Sequence, residues 1–539
     1  MHANKRILVF IFLFLLSFSL FSQEKTTKDL PKLPLNPQRG LQNKINSPIF
    51  TPKKYWIMFK DKENIDVPIS VVHLAKLKEE NIKIESHSKW LNCVSAYISD
   101  EKLVKIKQFD YVKEVILMDK SLKKASFKSK KERKRNSFVK TQTTARFEPT
   151  NDATLSICLF QMNARAFTEA GISGKNVRVG ITDAGFWGAD KDKSLQHLFK
   201  KGTKENKILF TKDFISPKQK FFNITDSHGT TVLSKIAGKT DKNITGLAYG
   251  ADFYLVRTEN DAIEARTEEE NWLRAIEMLD SLGVRLVNVS LGYSTDFTNP
   301  EENYTMAQMD GKTAFISRAA KIATEQKGMI IVVSAGNDGT STSWDIISAP
   351  ADVSGVIAVG ATEVYSRMKM NYSSEGSENV PFVKPDVACQ SFSGTSFAAP
   401  IITGFVACLL EKQPNLTNEA IKNILHKSSH LYPFANTFIG YGIPQADIAL
   451  KVLENPDFDP KRSSIIEVQK DIKTGLKADF VEILDIKSSK VILFHKKNKT
   501  VAFKQLSQKT KAGKIIIKKA KKATHTTVDA GNKVIEIVW

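Results

Sequence analysis

Four side chains in this sequence could together attack a carbonyl: Asp183, His228, Asn337 and Ser396. Acyl transfer by serine needs a hydroxyl to attack, an imidazole to take its proton and a carboxylate to fix the imidazole tautomer. It also needs hydrogen-bond donors aimed at the developing oxyanion. Asp183 follows the apolar run VRVGI, within Thr182-Asp183-Ala184-Gly185-Phe186. His228 lies in Asp226-Ser227-His228-Gly229-Thr230, which opens a helical pattern. Asn337 lies in Ala335-Gly336-Asn337-Asp338-Gly339, after MIIVVS. Ser396 lies in Ser393-Gly394-Thr395-Ser396-Phe397-Ala398-Ala399-Pro400, at the start of the longest apolar helical pattern. Taken singly, each has a plainer reading. An aspartate after a strand is a turn former or cap, and His-Gly is a loop. Gly-Thr-Ser is a helix start with a capping serine, and Ala-Gly-Asn is a turn. Their joint occurrence, in order and in fitting contexts, favours chemistry.

The elements that must position them lie between residues 150 and 454. Short apolar runs at 177–181, 253–256, 286–290, 329–334 and 356–359 read as strands. Helical apolar spacing falls near 231–236, 272–282, 313–325 and 397–410. Continuous apolar strands alternating with helices predict an α/β, doubly wound, mostly parallel sheet covered on both faces. In such a sheet, sites form beyond the carboxyl ends of the strands. Asp183 and Asn337 are expected there, with His228 and Ser396 opening helices.

Other segments bound the organisation. Lys5 and Arg6 precede an apolar run at 7–21, broken only by Ser17 and Ser19, with Ser22 and Gln23 after it. That describes a cleaved export signal over residues 1–23, since a spanning helix needs about 20 apolar residues. No later stretch reads as a membrane span. Residues 24–54 read as a linker. Residues 55–119 read as a small α+β unit, with strands at 55–59, 94–98 and 112–117 and helices at 71–80 and 101–109. Residues 120–149 form a basic linker, and 461–539 a basic, β-rich C-terminal domain with strand-like runs at 491–494 and 514–517. No internal repeat is present.

The net charge is +21, from 79 Lys+Arg against 58 Asp+Glu. Residues 120–140 hold ten Lys/Arg against one Glu, and 461–539 hold nineteen Lys/Arg against seven Asp/Glu. These two pieces account for the whole surplus. A near-neutral body with two basic appendages argues against a nucleic-acid-binding core and leaves an anionic cell-surface contact through 461–539. The four cysteines, Cys93, Cys158, Cys389 and Cys408, are scattered without a C-x-x-C pair. They exclude a zinc-finger pattern and read as buried small hydrophobes, with one bridge open in an oxidising compartment.

The motifs together resemble the subtilisin-like serine proteases. The matching segments are VGITDAGF, DSHGTTV, NVSLGY, VVSAGNDG and GTSFAAP, spread over residues 161–450. The resemblance implies that Asp183 orients the imidazole, His228 is general base and then acid, and Ser396 is the nucleophile. It implies that Asn337 donates its amide to the oxyanion beside the Ser396 backbone N–H. Ser290, Leu291, Gly292 and Gly336 would bind extended substrate backbone. Phe397 stands where the family usually has Met, and Ala184 where it has Thr or Ser. Neither position performs the chemistry, so altered packing is expected. The Ala349-Pro350 bond resembles a place where the family has a cis proline. YWIMFKDK and WLNCVSAYI in the 55–119 unit resemble the family's inhibitory propeptide. Self-cleavage would then fall in the exposed basic segment.

The reading is an exported endopeptidase (secreted, at the cell surface or in the periplasm), made as a precursor. Its expected partners are protein or peptide substrates and its own propeptide, and a monomer is expected. The chemistry needs no cofactor. Structural calcium is common in the family, but no calcium-loop spacing stands out in the sequence. Rival classes are an inactive subtilisin-like binding or adhesion protein and an adhesin acting through 461–539. The presence of all four key side chains argues against the first.

Overall fold

A period-two alternation decides how the N-terminal unit is built, in a computed structural model of the chain. The structure describes residues 52–60, 62, 64–119, 154–200, 202–223, 226–260, 263–295, 297–469 and 477–539. The export signal, nearly all of the 24–54 linker and the basic linker lie outside the described residues. Strands β1 (Lys53–Phe59), β2 (Ile84–Ser88), β3 (Cys93–Ile98) and β4 (Val112–Asp119) form an antiparallel sheet in the order β2-β3-β1-β4. Helices α1 (Val71–Glu79) and α2 (Asp100–Lys107) cover one face. Tyr55, Ile57 and Phe59 of β1 pack with Leu77 and Ile106 of these helices. Trp56 and Met58 point the other way and join a core of the large sheet's helices. β2 was not anticipated, because IESHS lacks an apolar run.

The large sheet follows. Its strands are β6 (Arg178–Asp183), β7 (Ile208–Asp213), β9 (Asp252–Arg257), β10 (Leu286–Val289), β11 (Ile330–Ser334), β12 (Ile357–Thr362) and β13 (Val387–Gln390). The short strands β5 (Thr154–Leu155) and β8 (Asn243–Ile244) pair apart from it. The seven strands run parallel in the order β13-β12-β11-β10-β6-β9-β7. Short helices α3 (Ile157–Gln161) and α4 (Arg165–Glu169) precede the sheet. Helix α5 (His228–Ala237), α8 (Ala399–Lys412), α9 (Asn418–Ser428) and α10 (Ala446–Glu454) share one core with Leu286, Ile330 and Val332. Helices α6 (Thr267–Ser281) and α7 (Phe315–Glu325) cover the opposite face with Val287, Ile331 and Val333. Consecutive strand residues thus feed opposite cores, which is why these runs are nearly continuous in apolar residues, with Asn288 of β10 a buried exception.

The segment Thr395–Lys412 is long and apolar enough to cross a membrane by length and composition, contrary to the reading of the sequence. It is nonetheless a core element, with Ile402, Phe405 and Val406 fully buried against the sheet. All four cysteines are buried and free.

The C-terminal part is β-rich. Strands β14 (Ser463–Glu467), β16 (Lys490–Lys496), β17 (Ala502–Lys509), β19 (His525–Asp529) and β20 (Val534–Val538) form a sheet in the order β14-β20-β19-β16-β17. Strands β15 (Phe480–Ile483) and β18 (Ile515–Lys518) make a separate antiparallel pair. Ile492, Phe494 and Ala502 share a core with Leu431, Phe438 and Ile439. The Gln505 amide bonds both the N–H and the C=O of Lys369, each at 2.9 Å. This part is therefore packed onto the parallel-sheet unit through a continuous apolar contact.

Candidate active site

Asp183 ends β6 and is fully buried. Its Oδ1 lies 2.8 Å from His228 Nδ1 and accepts the Ala184 N–H at 2.8 Å. His228 begins α5, where Asp226 Oδ1 accepts its backbone N–H at 2.6 Å. That side-chain contact satisfies one of the donors left open at a helix start and fixes where the imidazole leaves the backbone. The Phe397 ring stands 5.1 Å from the His228 ring, so the residue after Ser396 packs on the imidazole. Position 184 acts through its backbone, since its carbonyl accepts the Arg257 Nε–H at 2.6 Å.

Ser396 lies in the turn Thr395–Phe397, just before α8. Its carbonyl accepts the Ser290 hydroxyl at 2.8 Å. Ser290 in turn accepts from Asn288 Nδ2 at 2.9 Å, and Asn288 Oδ1 accepts from Thr403 at 2.8 Å. Asn288 and Thr403 are fully buried, so this chain locks the nucleophile's backbone to β10 and α8. Asn337 Oδ1 accepts the Thr395 N–H at 2.8 Å and its hydroxyl at 3.0 Å. With its oxygen held inward, the amide presents Nδ2 to the cleft.

A cleft of about 380 Å3 opens beside Ser396, with Ser290, Leu291, Gly292, Gly336 and Asn337 in its walls. All eight residues singled out in the sequence therefore meet at one end of the sheet. Gly336 has φ +115°, in the region that favours glycine. A Cβ on Gly292 would lie 2.2 Å from Ser348 Oγ. Ser348, in the same wall, escaped the sequence reading, as did the braces Thr395, Asn288 and Thr403. A buried hydroxyl in an apolar helix was the available signal for Thr403. The Ala349-Pro350 bond is cis, as are Lys384-Pro385 and Tyr432-Pro433.

Nearby, Glu259, Glu264 and Glu268 bring carboxylate oxygens within 4.8 Å of one another, an acidic cluster the sequence reading did not find. Oxygen donors suit calcium. However, Glu259 already accepts the Tyr293 hydroxyl at 2.6 Å, and Glu268 accepts the Asn260 N–H at 2.6 Å. Burial pushes both carboxyls well above the ordinary range.

The N-terminal sheet docks on α6 and α7, on the face of the large sheet covered by these two helices. Glu270 of α6 accepts from Lys54, from Ser86 and, at 2.7 Å, from Ser95. Glu277 accepts from Ser88 and from the Trp90 N–H at 3.3 Å. Trp56 stacks on Phe315 of α7 with centroids 4.6 Å apart. Glu114 pairs with Arg318 at 2.7 Å.

Comparison with known proteins bears on this arrangement. Residues 174–442 match the profile of the subtilase family, and residues 63–136 match a peptidase S8 propeptide domain of Bacteroidota. Subtilisin E of Bacillus subtilis (strain 168) is 28% identical over 294 residues, covering 52% of this chain and 68% of its own. The subtilisin of Bacillus pumilus is 27% identical, covering 52% and 94%. Among solved structures, fervidolysin from Fervidobacterium pennivorans, a keratinolytic enzyme related to subtilisin, aligns with a TM-score of 0.54. It is 17% identical, covering 89% of this chain and 71% of its own, and so supports the fold.

Proposed function

The chain belongs to the subtilase family, and on that premise we propose how its serine endopeptidase activity is carried out. Ser396 Oγ attacks the scissile carbonyl, and His228 takes its proton and later gives it to the leaving amine. Asp183 holds the imidazole with its Nδ1 proton inward and stabilises the imidazolium that forms. Asn337 Nδ2 and the Ser396 backbone N–H donate to the oxyanion. Ser290, Leu291, Gly292 and Gly336 line the path of the extended substrate. The observation that carries this reading is the 2.8 Å contact between a fully buried Asp183 and His228 at a helix start. A buried carboxylate beside an imidazole has a ready use as the partner of a transient positive charge.

The enzyme is made as an exported precursor. Its 55–119 unit assists folding and blocks the cleft until the chain cuts itself between residues 117 and 150, in the Lys/Arg-rich stretch. Ser396→Ala in the full chain tests both statements. Peptidase activity and labelling by a fluorophosphonate should vanish. The loss in kcat for the nucleophile is about 10⁶, a magnitude taken from this enzyme family. The variant precursor should also persist uncut. Near-normal activity would sink the nucleophile assignment. Normal processing with no other protease present would refute self-cleavage.

A further inference from the structure

The C-terminal sheet holds a second cleft, of about 480 Å3, that the peptidase reading does not use. Its walls come from β16 and β17 on one side and from β18 with the two residues after it on the other. The register sets His495 opposite Lys504 and Leu493 opposite Leu506. Gln508 Nε2 donates to the Ile516 carbonyl at 2.9 Å and ties the two walls together. Lys518 and Lys519 stand on the far wall.

His495 is the informative residue. It is only 3% exposed, and its Nδ1 lies 2.9 Å from Thr526 Oγ1. That hydroxyl, itself fully buried, already accepts the Trp539 indole N–H at 2.8 Å. An indole nitrogen is a donor only, and a hydroxyl has a single hydrogen to give. Donation by the hydroxyl to Nδ1 is the arrangement that leaves no buried hydrogen unpaired among these three groups, and the neutral ring then carries its proton on Nε2. In that tautomer Nε2, the nitrogen left for the cleft, is a donor. Burial, followed by Lys504, pushes the imidazole down to about 4, so the ring stays neutral at physiological pH.

Lys504, Lys518 and Lys519 are exposed, and none forms an ion pair with a described residue. Glu482, opposite Ile516 in the β15–β18 register, is the carboxylate that register brings to this face, and it pairs with none of the three. The cleft thus presents three ammonium groups and one neutral N–H. Beside them lie Ile516, 51% exposed, and the half-buried Leu506, while Leu493 in the same wall is buried.

We propose that this cleft binds the oxyanion of a phosphate or sulfate monoester, with the ester's body resting on Leu506 and Ile516. A tetrahedral monoester offers three terminal oxygens, and a phosphate ester carries a charge of about −1.5 to −2, which suits a cleft lined by three lysines better than a single carboxylate does. The source is a lipid headgroup or a soluble ester. The proposal is independent of the peptidase reading.

The test uses the full chain carrying Ser396→Ala, so that the sample cannot digest itself. Calorimetric titration with glucose 6-phosphate is run beside sedimentation with phosphatidylcholine vesicles, with and without phosphatidic acid. Saturable binding is expected, weakened about tenfold or more in the Lys504→Gln/Lys518→Gln double variant at unchanged melting temperature. If the double variant does not fold, Lys519→Gln alone serves, with a smaller loss. Binding to glucose 6-phosphate alone assigns a soluble ester, and binding to phosphatidic acid vesicles alone assigns a headgroup. No saturable binding of either probe, equal affinity for acetate, or undiminished binding in a folded variant would overturn the proposal.

Discussion

Replacing Asn337 separates two jobs performed by one side chain. Its Oδ1 braces Thr395, and its Nδ2 faces the cleft. Asn337→Leu removes both. Thr395 is fully buried, so its N–H loses its partner, while its hydroxyl keeps the Gly336 backbone at 3.1 Å. An unsatisfied buried donor costs about 1–3 kcal/mol of stability. Losing the oxyanion donor lowers kcat by about 10²–10³, or 2.7–4 kcal/mol, a magnitude known from this donor in subtilisin itself. Asn337→Asp keeps the acceptor for Thr395 and discards the donor. It should melt close to the parent, yet lose at least as much kcat, because a carboxylate repels the oxyanion. Thermal melts together with kcat and KM on one peptide substrate read the two effects apart. If the Leu variant loses stability while kcat stays within about threefold, Asn337 is only a brace. If the loss lies wholly in KM, it positions substrate and does not act on the transition state.

Two further outcomes concern pH. His228 must be unprotonated to accept the serine proton, so kcat/KM should rise with pH as the imidazole loses its proton, and a flat profile from about pH 5 to 8 would contradict the general-base role. Glu277 is half-buried beside the docked N-terminal unit, and desolvation raises its carboxyl above the ordinary glutamate value despite the bonds from Ser88 and Trp90. Docking therefore takes up protons: it should be tightest at or below the ordinary glutamate value and weaken as pH rises through the raised one. Glu277→Gln should flatten that dependence of inhibition by the N-terminal unit, and an opposite slope, or one unchanged in the variant, would rule out Glu277 as its source.

The central strands and the residues at their ends were legible because a strand buried on both faces is apolar at nearly every position. The runs VRVGI and MIIVVS announce β6 and β11, and the carboxyl ends of those strands place Asp183 and Asn337 in one neighbourhood. Two strands were not legible: β7 is an edge strand with exposed side chains, and β13, though buried at all four positions, reads VACQ, with one β-branched residue. The helices α9 and α10 escaped notice because only a narrow stripe of each is buried. Partnerships between distant segments were beyond the sequence altogether. Glu270 and Glu277 look like the solvated face of a charged helix until the serines of β2 and β3 arrive some 180 residues away in sequence to bury them. The Thr403–Asn288–Ser290 brace behind Ser396 joins residues up to 115 apart. Local periodicity records which side of an element avoids water. It carries no record of which distant group satisfies a buried polar atom, because that is fixed only when the chain closes on itself.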